Sequence, residues 1–225
     1  MPAPVYTDER LRNGRHIFLD RMDAGERLGE YIAYNLDSPD AILGIPIGGI
    51  PVAYASSKVL QVPFSHYVVT KIPSHLTPEI GIGAVAPDGT VFLNEHLVSA
   101  FALSREQLEG LVQKALARAA QLDSQLSKAR PPQQPAGRHI LLVDDGLASG
   151  YTMYTAAQLA RRQGAKTIGI GVPTGNTQAI ESLREVADYI VCLNIRDETP
   201  FAVADAYMVW YDLTLSEALK FLQLE

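Results

Sequence analysis

The chain has 225 residues, of which 47% are hydrophobic and 20% are charged, with 19 basic and 25 acidic side chains and a formal net charge of −6. This length is enough to bury the core of one α/β domain without disulfide or metal cross-links. The acidic balance argues against nonspecific nucleic-acid binding, which needs a basic surface.

No apolar run approaches the ~18 residues of a membrane span, and the charged N-terminus, broken by Pro2 and Pro4, is unlike a signal peptide. We therefore expect no membrane association and a cytoplasmic location. Cys192 is the sole cysteine and lies in an apolar run. We expect a small core residue there, because a lone apolar cysteine is usually inert.

The predicted elements alternate between helices and strands. Leu28, Ile32 and Leu36 form an i, i+4, i+8 stripe that predicts a helix over residues 19–36, capped by Asp20 or Asp23. Apolar runs predict strands over residues 41–45, 66–71, 139–143, 167–172 and 188–193. Further helices are predicted over residues 52–60, 104–128, 150–163 and 176–186. This alternation indicates a mostly parallel sheet with helices on both faces.

Two local signals interrupt that alternation. Residues 72–80 hold two prolines and little periodicity, which predicts a mobile loop. The dipeptide Asp88-Gly89 lies between the apolar runs 82–85 and 90–93, which predicts a hairpin. Ser104 and Gln107 form a capping box that begins the long helix, and the proline-rich residues 130–137 form a linker after it.

The strongest motif follows the strand predicted over residues 139–143. Asp144 and Asp145 come first, then a run of small residues that begins the next helix. Free N–H groups at such a helix start favour a phosphate, and Ser149 and Thr152 add hydroxyl donors. The carboxylates suit sugar hydroxyls or a hard divalent cation, because they would repel a phosphate.

The residues alone thus indicate a ribose 5-phosphate group beyond the carboxyl end of the strand. Two other interpretations stay open, which are the acidic pocket of a receiver domain and a plain turn capped by aspartates. A dinucleotide-binding domain is disfavoured, since no predicted strand precedes Gly-x-Gly-x-x-Gly.

Residues 141–152 resemble the signature of type I phosphoribosyltransferases, which bind 5-phosphoribosyl-1-pyrophosphate (PRPP). The resemblance implies that Asp144 and Asp145 meet the ribose 2′- and 3′-hydroxyls. Gly146 departs from the signature, because many members have an aliphatic residue there. The loop implied to bind the 5′-phosphate consists of Gly146, Leu147, Ala148, Ser149, Gly150, Tyr151 and Thr152.

The loop after the strand predicted over residues 41–45 resembles the family's pyrophosphate-binding loop, at Ile47, Gly48 and Gly49. Family members often have Lys or Arg where this chain has Ile47, so pyrophosphate stabilisation would depend largely on backbone donors. The alternative is a tight strand-to-helix turn.

Residues 70–86 resemble the family's flexible catalytic loop with its hairpin. There Lys71 could offset diphosphate charge, although a solvated lysine is the alternative. His75 and Glu79 are weaker candidates, for an action on the leaving group and for a hinge contact. The start Phe18-Leu19-Asp20-Arg21-Met22-Asp23-Ala24-Gly25 is similar to a group of uncharacterised bacterial and archaeal phosphoribosyltransferase-domain proteins.

The resemblance implies a single type I domain over residues 1–225, with a core at about 38–193 and a small hood from about 1–37 and 194–225. Aromatic residues in the second part of the hood could receive the acceptor, or could instead be core or dimer contacts. They are Phe201, Trp210 and Tyr211.

The implied reaction transfers the phosphoribosyl group of PRPP to a nitrogenous acceptor, with a nucleobase as the expected class, and releases pyrophosphate. Asp144, Asp145 and Lys71 would be the catalytic residues, and Mg²⁺ would be held by the two aspartates indirectly, with PRPP. We expect a homodimer with small-molecule substrates and no nucleic-acid partner. The alternatives are a PRPP- or nucleotide-sensing regulator without turnover and a metal-dependent phosphohydrolase acting on a ribosyl phosphate.

Overall fold

The computed structural model describes residues 2–74 and 81–224. The strands are β1 (Val5–Tyr6), β2 (Ala41–Gly44), β3 (Phe64–His66), β4 (Thr70–Pro73), β5 (Gly81–Val85), β6 (Val91–Leu93), β7 (His139–Val143), β8 (Thr167–Asn176) and β9 (Tyr189–Arg196). The helices are α1 (Arg21–Asn35), α2 (Gly49–Leu60), α3 (Glu95–Ala100), α4 (Arg105–Ala129), α5 (Tyr151–Arg162), α6 (Thr177–Leu183) and α7 (Leu215–Gln223). The predicted α/β class is confirmed.

The main sheet has six strands in the order β1-β9-β8-β7-β2-β3, and every neighbouring pair is parallel. β2 and β7 are neighbours in register, with Gly44 opposite Val143. The loops that follow these two strands therefore leave the same edge of the sheet side by side. That edge is where open parallel sheets place ligands.

Helices cover both faces of the main sheet, so its strands are apolar on both sides rather than alternating. On β7, Leu141 and Val143 belong to the core that includes Leu28 of α1 and Ile50 of α2. Leu142 faces the other core, which holds Met153 of α5. Cys192 is fully buried in that second core, and burial raises the pKa of its thiol. The cysteine is a core residue, as predicted.

A second sheet of three antiparallel strands, β4-β5-β6, contains the predicted hairpin. The turn at Asp88-Gly89 connects β5 and β6, and the Asp88 side chain accepts a hydrogen bond of 2.9 Å from the Thr90 N–H. Ile72, Ile82 and Val85 pack this sheet against α4.

Several predicted bounds need correction. The strand predicted over residues 66–71 is two strands in different sheets, because the chain leaves the main sheet after His66 and enters the hairpin sheet at Thr70. An apolar run cannot show that change of partner. α2 begins at Gly49 rather than at residue 52, and β8 continues to Asn176. β1, α3 and α7 were not predicted; α7 begins with a capping box formed by Thr214 and Glu217.

The two ends of the described chain lie against each other. The N–H groups of Met208 and Val209 donate to the carbonyl oxygens of Phe18 and Leu19, each at 2.8 Å. The division into core and hood stays a prediction, but part of the segment assigned to the hood lies in the core. Val5–Tyr6 is a strand of the main sheet, and α1 packs along α2.

Candidate functional site

The predicted phosphate loop connects β7 to α5 and is fixed by its neighbour β8. Leu147 is buried; its N–H donates to the Thr174 carbonyl at 2.9 Å, and its carbonyl accepts from the Asn176 N–H at 3.2 Å. The Asn176 side chain donates to the Ala148 carbonyl. These anchors hold the loop from below and leave Ala148 and Ser149 exposed at its tip.

Backbone donors are available at the start of α5. Gly150 has a φ of +75°, which glycine tolerates and L side chains rarely adopt, and it is the N-cap of the helix. Among the described residues, the N–H groups of residues 148–152 donate no hydrogen bond to a protein acceptor. Unpaired N–H groups at a helix N-terminus favour an anion, since the helix dipole adds partial positive charge.

Asp144 and Asp145 follow β7 directly, and their side chains have different environments. One Asp144 carboxylate oxygen accepts from the Asp145 N–H at 2.8 Å. Burial raises the pKa of Asp144 well above its usual value, and the negative charge of Asp145 raises it further. Burial also raises the pKa of Asp145, but the guanidinium of Arg21 opposes that shift. The two carboxylates are therefore not equivalent.

Arg21, the first residue of α1, is a site residue that the sequence analysis did not identify. Its Nε lies 2.8 Å from Oδ2 of Asp145 and its Nη1 lies 3.0 Å from the carbonyl oxygen of Tyr211. The guanidinium also stacks on Trp210, with Cζ 3.9 Å from the ring centroid. The segment that begins at Phe18, which resembles other phosphoribosyltransferase-domain proteins, contains Arg21. Nothing in the sequence linked that segment to the acidic pair.

The hood segment reaches the acidic pair through a second contact. The Tyr207 hydroxyl donates to the Asp145 carbonyl oxygen at 2.6 Å, and the Tyr207 ring lies 5.0 Å from that of Trp210. The Tyr211 side chain is exposed, and its backbone carbonyl is what contacts Arg21. Two of the three predicted acceptor residues, Trp210 and Tyr211, are thus joined to the acidic pair through Arg21.

Phe201 is placed differently from the other two. Its ring lies 5.3 Å from Cζ of Arg196, a fully buried arginine at the end of β9. Arg196 in turn contacts the Asp205 carboxylate at 3.3 Å. The structure therefore groups Phe201 with this separate ion pair and not with Trp210 and Tyr211.

The predicted pyrophosphate loop lies against the acidic pair. A side chain at Gly48 would overlap the Asp145 carboxylate, and one at Gly49 would press on the Val143 carbonyl and the Asp144 backbone. The peptide bond from Pro46 to Ile47 is cis. Within the described part of the chain, the N–H groups of Ile47 and Gly48 donate to no protein acceptor. The loop thus offers two donors beside the carboxylates, whereas the Ile47 side chain packs on the core.

Lys71 and Tyr151 both lie at the hairpin sheet, and their roles in the site stay predictions. Lys71 lies on β4 in the hairpin sheet, where its side chain runs along Gly81. The Tyr151 hydroxyl accepts from the Asn94 side chain at 2.5 Å, so its side chain faces the hairpin sheet and α3. His75 and Glu79 lie outside the described residues.

Within residues 2–74 and 81–224, no cluster of three or more His, Cys, Asp or Glu side chains is placed to hold a metal ion. None of the described helices is both long and apolar enough to cross a lipid bilayer. A small cavity of about 80 Å³ lies beside Arg21, between Pro51 at the start of α2 and the hood residues Val209 and Tyr211.

Comparison with known proteins gives a consistent result. Two proteins of Mycobacterium tuberculosis, from strains CDC 1551 / Oshkosh and H37Rv, are each 32% identical to the chain over 209 residues and are provisionally named phosphoribosyl transferases. The matches cover 92% of this chain and 46% of each relative, so the chain spans about half the length of the curated relatives it matches.

A crystal structure of the protein TT1426 from Thermus thermophilus has a TM-score of 0.75 and 27% identity to the chain. The similarity covers 92% of this chain and 97% of that one. The family described as the phosphoribosyl transferase domain matches residues 20–208, which include Arg21, both loops and the acidic pair. The predicted family and fold are confirmed: the chain belongs to the phosphoribosyl transferase domain family, of type I.

Proposed function

We propose that the chain binds PRPP and transfers its phosphoribosyl group to a nitrogenous acceptor, such as a nucleobase, with release of pyrophosphate. The observation that carries the proposal is the juxtaposition at the sheet edge. In the described part of the chain, the N–H groups of residues 148–152 find no protein acceptor and follow two carboxylates in the same loop, and the loop with the donors of Ile47 and Gly48 lies against Asp145. This order of donors, carboxylates and donors suits a ligand with phosphate, diol and diphosphate in sequence.

Each part of PRPP has a group that suits it. The 5′-phosphate would accept from the N–H groups of residues 148–152 and the Thr152 hydroxyl. The ribose hydroxyls would donate to the carboxylates of Asp144 and Asp145. The diphosphate would accept from the N–H groups of Ile47 and Gly48. No covalent intermediate on the protein is required, because positioning and electrostatic stabilisation can accelerate such a displacement.

In the proposed reaction the C1–N bond forms as the C1–O bond to the diphosphate breaks. Pyrophosphate leaves with the electron pair, and the acceptor nitrogen loses its proton to solvent or a nearby base. Charge develops at C1 and on the leaving oxygens, so donors aimed at the diphosphate favour the reaction. Lys71, on β4 of the hairpin sheet, would offset charge on the diphosphate.

Mg²⁺ prefers oxygen ligands such as the carboxylates of Asp144 and Asp145. Two carboxylates are fewer ligands than the ion needs. They would therefore hold Mg²⁺ together with oxygens of PRPP. The ion would supply positive charge to the diphosphate when bound. The protein's own part is to keep both carboxylates in place, through the Asp145 N–H on Asp144 and through Arg21 on Asp145.

The acceptor would lie towards Trp210 and Tyr211, since both connect to the acidic pair through Arg21. Phe201 is a weaker candidate, because its ring covers Arg196. An exposed aromatic such as Tyr211 offers a face on which a base can stack. The identity of the acceptor stays open to assay.

The test is to incubate the protein with PRPP, Mg²⁺ and a panel of purines, pyrimidines and pyridines, and to assay pyrophosphate. We expect pyrophosphate release that depends on one class of acceptor. Release without any acceptor would favour the phosphohydrolase. Saturable PRPP binding with no release would favour the sensing regulator, an alternative supported by Ile47, which leaves the pyrophosphate loop without a cation of its own.

A further inference from the structure

The guanidinium of Arg21 is held on three sides. Asp145 Oδ2 accepts from Nε, the Tyr211 carbonyl accepts from Nη1, and the Trp210 ring covers one face at 3.9 Å. Only 9% of the side-chain surface is exposed. A buried cation with this many contacts has a fixed position, because a planar guanidinium cannot turn without breaking them.

The third nitrogen of that guanidinium, Nη2, differs from Nε and Nη1. Within the described residues, Nη2 donates no hydrogen bond to the protein. A donor that is fixed, charged and unpaired favours a bound anion, since charge-assisted hydrogen bonds are stronger than neutral ones.

The guanidinium lies near the loop that lacks a cation, because one residue, Asp145, contacts both. Asp145, the ion-pair partner of Arg21, packs against Gly48 so closely that no side chain would fit at that glycine. Arg21 is therefore one carboxylate away from the donors of Ile47 and Gly48. In the loop itself, position 47 contributes an apolar side chain that packs on the core.

We propose that Arg21 supplies the cation for the diphosphate end of the ligand, from the hood side of the site and in place of a basic residue at position 47. This inference rests on the proposed function. The ion pair with Asp145 would then have two effects: it orients the carboxylate towards the ribose hydroxyls and aims Nη2 towards the diphosphate.

A purely positioning role for Arg21 makes a different prediction. If Arg21 only oriented Asp145, its loss would weaken every ligand that carries the ribose, including ribose 5-phosphate. If Arg21 also contacts the diphosphate, its loss weakens PRPP and pyrophosphate more than ribose 5-phosphate. The three ligands therefore separate the two roles.

The experiment is calorimetric titration of the full chain with PRPP, pyrophosphate and ribose 5-phosphate in excess MgCl₂. We expect Arg21→Gln to weaken PRPP and pyrophosphate by about tenfold or more, and ribose 5-phosphate by less than about threefold. Arg21→Lys should recover part of the pyrophosphate affinity, because it keeps the charge. Arg27→Gln is the matched control: it removes the same charge from α1, where Arg27 pairs with Asp23, and should change none of the three affinities.

A second variant guards against misfolding of Arg21→Gln. Asp145→Asn keeps the Arg21 charge, which the Tyr211 carbonyl and the Trp210 ring still contact, so pyrophosphate affinity should fall less than ribose 5-phosphate affinity. Circular dichroism and thermal melting establish that each variant is folded. Equal losses of pyrophosphate and ribose 5-phosphate in Asp145→Asn would overturn the inference even if Arg21→Gln could not be purified.

Two further results would overturn it directly. One is equal weakening of PRPP and ribose 5-phosphate by Arg21→Gln, and the other is unchanged or tighter pyrophosphate binding. Failure of the proposed function would look different, because wild-type protein would then bind pyrophosphate in an Arg21-dependent manner but show no acceptor-dependent turnover of PRPP.

Discussion

The carboxyl group of Asp144 accepts a hydrogen bond from the N–H of Asp145, the next residue. Asp145 is better compensated, because Arg21 lies 2.8 Å away. In the free protein, burying the charged carboxylate is therefore less favourable at Asp144 than at Asp145. Burial raises the pKa of both, and Asp144 has the additional repulsion of Asp145. Such a cost is common at functional sites, where charge is arranged for a ligand rather than for stability.

Asp144→Asn should stabilise the free protein at neutral pH. The folded pKa of Asp144 is raised above its ordinary value of 3.8, so the folded state binds the proton more tightly than the unfolded state. The resulting stability is present below pH ~3.8 and is lost as the pH rises through the folded pKa. Asn carries no charge to bury and can still accept from the Asp145 N–H, so the gain at neutral pH should be on the order of 1–3 kcal/mol.

The measurement is urea denaturation of both proteins at pH 4.5 and pH 7.5. We expect the difference in the free energy of unfolding to shrink at the lower pH. The control, Asp212→Asn at an exposed position, should have little effect at either pH. A destabilised Asp144→Asn at neutral pH would show that the wild-type carboxylate makes a favourable interaction in the free protein.

The first turn of α5 shows how one element serves two purposes. Its first N–H groups donate to no acceptor among the described residues, whereas the Tyr151 side chain meets Asn94 and lies 5.9 Å from Phe92. Tyr154 of the same helix also packs on Phe92, at 4.4 Å. α5 therefore joins the phosphate loop to the hairpin sheet, and of the Tyr151 and Thr152 hydroxyls we expect only that of Thr152 to be available to a ligand.

Replacing these two hydroxyls separately should give opposite results. Thr152→Val keeps the shape but removes a phosphate donor, and we expect about tenfold weaker PRPP binding. Tyr151→Phe removes the bond to Asn94 and should lower the free energy of unfolding by about 1 kcal/mol with PRPP affinity nearly unchanged. Calorimetry with PRPP and urea denaturation of both variants show which hydroxyl contacts the ligand and which stabilises the fold. A loss of affinity confined to Tyr151→Phe would reverse the assignment.

At the scale of the whole molecule, the sequence predicted what depends on local pattern. The strand at His139–Val143, the α4 capping box at Ser104 and the hairpin turn at Asp88 all agree with the structure. Each of these features is set by residues within a few positions of one another. The same is true of the phosphate loop, whose small residues and hydroxyls are contiguous in the chain.

Features that join distant parts of the chain were missed. Arg21 meets Asp145 across 124 positions, and Tyr207 meets it across 62. The prediction of one strand over residues 66–71 was wrong for a related reason, since His66 pairs in the main sheet and Thr70 in the hairpin sheet. Periodicity reports the face that a residue buries, but it does not report which distant partner that face meets.

The two ends of the described chain and the main sheet thus converge on Asp145, which links α1, the segment around Tyr207 and the loop after β7. A ligand in contact with these parts would stabilise the folded chain, by about 2.7 kcal/mol at a concentration of 100 times Kd. The homodimer, the acceptor and Mg²⁺ stay predictions that bear on activity. Neither the homodimer nor the acceptor has to be known to test whether PRPP binds.

Every proposal made for this protein depends on the loop between β7 and α5, with the neighbouring acidic pair, being a PRPP site. Isothermal titration calorimetry of the wild-type chain with PRPP in MgCl₂ measures that binding without assuming an acceptor. We predict saturable binding with one site per chain, tighter than the binding of ribose 5-phosphate and weakened in Thr152→Val. The absence of saturable binding by a folded protein, or binding unaffected by Thr152→Val, would contradict the assignment of the site.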